Sequence, residues 1–100
     1  MISYTQEFND IKFTPFLDGV QALIDYGAYE LSVVRHSSSY GSDKGLYEIG
    51  VFDKLAGMVS LPGITLAEDT IKGYLTEEDV SAIMKKMETL TTNEGVQIAI

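Results

Sequence analysis

The clearest periodic signal lies toward the C-terminus, where Val80, Ile83, Met84, Met87 and Leu90 fall at i, i+3, i+4, i+7 and i+10. That spacing puts them on one side of a helix, as an apolar stripe that needs an apolar partner layer. Ahead of the stripe, Thr76-Glu77-Glu78-Asp79 matches a capping box. The threonine hydroxyl accepts a free N–H of the first turn, and the acids suit the positive end of the helix dipole. A helix starting at or beside Thr76 is therefore predicted, with Lys85 and Lys86 toward its negative end and Asn93 and Gly95 as the stop.

The middle of the chain alternates with the period of a strand. Tyr29–Arg35 is β-branched near its end, and Gly45–Phe52 places Leu46, Glu48, Gly50 and Phe52 on one face and Tyr47, Ile49 and Val51 on the other. A polar loop, Ser37–Lys44, joins them, so a long-looped hairpin is predicted. A turn over Asp53–Gly57 leads to a third short strand near Met58–Leu61, ended by Pro62-Gly63. In the first quarter, Pro15, Phe16, Val20, Leu23 and Gly27 fit a short helix with proline in its first turn, while Val20, Ala22, Ile24 and Tyr26 fit a strand nearly as well. The helix is the preferred reading. Val96–Ile100 is apolar enough for an edge strand, or it frays. The expected fold is α+β: an antiparallel sheet of three to four strands, a C-terminal amphipathic helix packed on it and a short N-terminal helix. All of it falls in a single domain, 1–100.

Composition narrows the setting. The chain has 100 residues and no cysteine, so its stability must come from packing, and thiolate chemistry and disulfides are excluded. Fifteen acids against seven Lys and Arg give a formal charge of −8, which disfavours direct contact with nucleic acid or anionic lipid. The opening Met1–Glu7 lacks the features of a signal peptide, and no apolar run approaches a membrane span. A cytoplasmic protein is expected.

Several motifs together, Ser32-Val33-Val34-Arg35-His36, Ser39-Tyr40-Gly41, Lys44-Gly45-Leu46-Tyr47-Glu48, Pro62-Gly63-Ile64-Thr65 and Gly73-Tyr74-Leu75-Thr76-Glu77-Glu78-Asp79-Val80, resemble small proteins encoded in phage and prophage genomes. The likeness covers residues 28–90 and leaves out the first quarter and the tail. It implies a viral accessory protein acting inside a bacterial cell, and it brings no catalytic or cofactor residues with it.

The loop after Val34 holds the chain's one arginine and one histidine. Arg35, His36, Tyr40, Asp43 and Lys44 form the candidate partner-binding set, because these residue types anchor interfaces or grip anionic groups. A nucleophile, base and orienting acid need fixed geometry that loop adjacency does not supply, so no enzyme is expected, with a small hydrolase-like centre at His36 as the alternative. Gly41–Gly45 lacks phosphate-loop spacing. Glu68-Asp69 and Glu77–Asp79 read as solvated acids and a capped helix start, so no metal or cofactor is expected. Tyr47 and Tyr74 are assigned to packing, and Tyr40 to an interface. The leading expectation is binding to a host or phage protein. The alternatives are an acidic mimic of nucleic acid that inhibits a host enzyme, and self-association into a homo-oligomer.

Overall fold

The computed structural model describes residues 7–66 and 68–99, with side chains described through residue 91. Six strands, β1 (Thr14–Phe16), β2 (Gly19–Asp25), β3 (Tyr29–Arg35), β4 (Tyr47–Asp53), β5 (Gly57–Val59) and β6 (Ile71–Leu75), precede one helix, α1 (Glu77–Ala99). Short 3-10 turns occupy Phe8–Asp10 and Ser42–Lys44. All strand pairs are antiparallel, in the order β1-β2-β3-β4-β5, and β6 also pairs with β4. One edge of β4 is therefore taken by β3, and the other is shared by β5 against Val51–Asp53 and β6 against Tyr47–Gly50.

Three expectations need correction. The segment from Pro15 is not a helix but the β1–β2 hairpin, turning at Leu17-Asp18. The alternation of Ala22 and Ile24 decides it, since their cross-strand partners Val33 and Leu31 bury them on the sheet. Gly19 lets the hairpin close: a Cβ there would overlap the Arg35 carbonyl oxygen. The sheet has six strands where three to four were expected, because the hairpin adds two and Ile71–Leu75 pairs with β4. Finally, residues 96–99 are helical, not an edge strand, and Asn93 and Gly95 do not end α1. A lone glycine costs a helix only about 1 kcal/mol; Ile100 lies outside the described residues.

The helix start is as predicted. Asp79 N–H donates to Thr76 Oγ1 at 3.1 Å and Thr76 N–H donates to Asp79 Oδ2 at 3.0 Å. Hydrogen bonds from the Thr76 backbone N–H, which contributes most, and then from the Thr76 hydroxyl hold the Asp79 carboxyl below its ordinary pKa. From this cap α1 lays Val80, Ile83, Met84 and Met87, none more than 6 % exposed, onto one face of the sheet. That face presents Ala22 and Ile24 of β2, Leu31 and Val33 of β3, and Tyr47, Ile49 and Val51 of β4. The segment before β1 seals one end of this core. Phe8 N–H donates to Ser81 Oγ at 2.8 Å, and the rings of Phe8 and Phe13 lie 5.0 and 5.7 Å from Tyr47. Among the described residues no helix is long and apolar enough to cross a membrane.

The opposite face of the sheet carries Gln21 and Leu23 of β2, Ser32 and Val34 of β3, and Glu48, Gly50 and Phe52 of β4, all on the alternate side of the pleat. At its margins Leu23 and Met58 are 54 % and 46 % exposed, while Ser32 and Val34 at its centre are 7 % exposed.

Candidate functional site

The loop from His36 to Leu46 is built on local hydrogen bonds. Ser39 is buried; its hydroxyl donates to the His36 carbonyl at 2.9 Å and accepts the His36 N–H at 3.0 Å. Gly41 takes a left-handed conformation, φ 93°, and its carbonyl accepts the N–H groups of Lys44 and Leu46, both at 3.0 Å. A Cβ at this position would crowd Leu46 Cβ and Tyr74 Cα at 3.0 Å each, so a side chain there would add tight contacts to the strain of the left-handed φ.

The five residues singled out from sequence do not converge on one spot. Arg35 turns toward the helix-bearing face, its guanidinium 4.9 Å above the Tyr47 ring, and Nη1 donates to the Gly45 carbonyl at 3.4 Å. It straps the loop to the core through a cation–π contact. His36 packs edge-on against Phe16 at 5.6 Å, and its Nδ1 accepts the Ser38 N–H at 3.2 Å. Arg35, His36 and Asp43 line an open cleft of about 480 Å³ together with Asp18 and Ser37. Lys44 ends the 3-10 turn, exposed. Tyr40 stands apart from that cleft, against β6.

Asp18, Ser37 and His36 are the residue types of a nucleophilic relay, but their bonds run in another order. The Asp18 carboxylate accepts the Ser37 N–H at 2.9 Å, and hydrogen bonds from the Ser37 hydroxyl, then the Ser37 amide, hold it below the ordinary carboxylate range. Because Nδ1 of His36 is used as an acceptor, the neutral ring carries its proton on Nε2. A relay would need Nδ1–H pointed at the acid and a bare Nε2 facing the hydroxyl. The cluster instead fastens the β1–β2 hairpin to the end of β3. Among the described residues no group of three His, Asp or Glu side chains could hold a metal ion.

Tyr40 belongs to a different arrangement. Its N–H donates to Glu48 Oε1 at 2.9 Å, its carbonyl accepts the Tyr74 N–H at 3.2 Å, and its ring stacks on Tyr74 with centroids 6.4 Å apart and planes 20° from parallel. Tyr47 pairs with Leu75 while Ile49 pairs with Lys72, so β6 bulges by one residue around Gly73-Tyr74. Gly73 leaves the space that Tyr40 fills, since a Cβ there would overlap that of Tyr40. Tyr74 itself has φ +59°. The packing role expected for Tyr74 is overturned: its side chain is 58 % exposed, beside Tyr40 at 56 %. A bulge re-aims a side chain, and alternation alone does not report one.

On the open face, Ser32 and Gly50 lie opposite each other in the register between Leu23 and Ile71. Two small residues side by side leave a depression of about 200 Å³, walled by Val34, Phe52, Met58 and Ile71, with Gln21, Glu48, Phe16 and His36 also lining it. Gln21 Nε2 donates to Ser32 Oγ at 3.2 Å, which satisfies the polar floor. Glu48 is common to this depression and to the Tyr40–Tyr74 corner. This face was not among the expectations from sequence, although Glu48, Gly50 and Phe52 grouped on one side of β4 were its available signal. The partner strands that complete it come from register. Comparison with protein-family models, curated proteins and solved structures finds no match to this chain.

Proposed function

We propose that this chain works by non-covalent contact with another protein, with the stacked Tyr40–Tyr74 pair as its anchor. In this reading it is a phage or prophage accessory factor that binds a host or phage protein in the bacterial cytoplasm, the setting to which the resemblance over residues 28–90 points. The observation that carries the contact reading is Tyr74. A non-glycine residue in the left-handed region costs about 1–2 kcal/mol, yet the backbone adopts φ +59° and leaves the ring 58 % exposed on Tyr40. Leu17 and Glu68 share the left-handed backbone; Tyr74 differs from them in that its exposed ring stacks on the equally exposed Tyr40, and that pairing motivates the contact reading. Tyrosine also supplies large contact area with few rotatable bonds, which suits an interface centre.

The test separates function from folding. Replacing Tyr74 with Gly removes both ring and strain, so Tyr74→Gly is expected to melt at or above the wild-type temperature while losing a stoichiometric partner that the tagged wild-type chain recovers from an expressing bacterial host. Tyr40→Ala is expected to lose the same partner. Recovery of that partner by Tyr74→Gly at wild-type yield would refute the reading.

A further inference from the structure

We infer that the open face of the sheet receives a cationic amphipathic helix of a partner protein, with one large apolar side chain of that helix seated in the depression over Ser32 and Gly50. The inference deepens the protein-contact reading above and rests on it. Its carriers are the dimensions of the face, the depression and the placement of charge.

β2, β3 and β4 are each seven residues long, so the face runs roughly 23 Å along the strands, at about 3.3 Å per residue. From β2 across β3 and β4 to β6 it is roughly 14 Å wide at the usual strand spacing. A helix about 10 Å across and some four turns long covers such a face, and helices on both sides of a sheet are one of the stable layered architectures. The depression lies near the middle, where Ser32 and Gly50 leave space for one leucine- or phenylalanine-sized side chain between Val34, Phe52, Met58 and Ile71.

Charge sets the sign of the occupant. Glu30 sits one pleat repeat from Ser32 on β3, and Glu48 sits one repeat from Gly50 on β4 in the opposite direction. The two carboxylate positions are therefore about 13 Å apart along the strands, with the depression between them. Of the nearby cations, Arg35 is turned to the other face against Tyr47, and Lys54 is paired at 2.7 Å with Asp25, the cross-strand neighbour of Glu30. A helix rises about 12 Å over eight residues, so Lys or Arg at i and i+8, with a large apolar residue at i+4, places two cations by the carboxylates and one knob in the hole. A second copy of this chain is a poorer occupant, since it would bring Glu30 and Glu48 against Glu30 and Glu48 on a protein of formal charge −8.

The probe is a stapled helical peptide with Lys at i and i+8 and Phe at i+4, titrated into the full-length chain while backbone amide shifts are followed by NMR. The expected result is one saturable site, with shifts concentrated on β2, β3 and β4 at Leu23, Ser32 and Gly50. Binding should weaken at least tenfold for a peptide with Glu in place of both Lys, and for Glu30→Lys. Gly50→Leu, which fills the depression, should weaken it similarly; Glu30→Lys keeps the test valid should Gly50→Leu fold poorly. Equal binding of the acidic peptide, shifts confined to the α1 side, or no binding at millimolar peptide would overturn the inference. So would disulfide-linked dimers of Leu23→Cys forming readily in this cysteine-free chain, which would assign the face to a second copy. Peptide failure alongside partner loss in Tyr74→Gly removes the helix and leaves the contact reading standing. Peptide binding at the mapped face alongside undiminished partner recovery by Tyr74→Gly supports the helix and removes the Tyr74 anchor.

Discussion

Replacing Tyr26 with phenylalanine should stabilise this protein. Tyr26 follows β2 and packs partly buried against the core, and among the described residues its buried hydroxyl finds no hydrogen-bond partner. Burial, and then the negative charge of Glu88, push its phenol up to about 12. An unsatisfied buried hydroxyl costs on the order of 1–3 kcal/mol, whereas the ring of phenylalanine retains the apolar contacts. The expected gain is about 1 kcal/mol, which for a chain of this size raises Tm by roughly 4–8 °C. Differential scanning calorimetry at pH 7 measures it. The phenol supplies a second readout with a definite sign. In the unfolded chain it titrates near its ordinary value of about 10, and in the folded protein near 12. The unfolded state therefore loses the proton first, so the contribution of this group is fully present below pH 10 and is lost as pH rises through 12. Tyr26→Phe lacks that loss, and its Tm advantage should widen between pH 10 and 12. A variant less stable than wild type at pH 7, or an advantage that stays constant into the alkaline range, would show that the hydroxyl is satisfied and the reasoning wrong.

Thr76→Ala removes the hydroxyl that caps α1 and should cost about 1 kcal/mol, read as a lower midpoint in urea with unchanged slope. Met87→Ala, at a fully buried site, should cost on the order of 2–5 kcal/mol and leave a chain whose near-ultraviolet circular dichroism melts well below wild type. Gly73→Ala pushes the new methyl into Tyr40, at a cost of about 1–3 kcal/mol. Hydrogen exchange should then show the Tyr74 amide, which donates to the Tyr40 carbonyl, losing protection while the amides of β2 and β3 keep theirs.

The capped, striped helix was legible from residues 76–90 because both of its determinants are local. A capping box acts over four residues, and a 3.6-residue period needs no knowledge of the partner surface. The strands from Tyr29 and Tyr47 were legible for the same reason, down to the two faces of β4. The hairpin at Thr14–Asp25 was not: Pro15, Val20 and Leu23 satisfy a helical spacing, and only the pairing of Ala22 with Val33 and Ile24 with Leu31 breaks the tie. The proposed contact surface was readable only in part. Tyr40, read as an interface residue, is exposed on its loop, but Tyr74 was assigned to packing because a bulge that turns one residue outward leaves no mark in the alternation of β6. Arg35 and His36 looked free in the loop and are tied down by Tyr47, Phe16 and Ser38. Local signals specify which segments become helix or strand. Register and close approach between distant segments decide which side chains meet, and those depend on contacts among strands far apart in the chain.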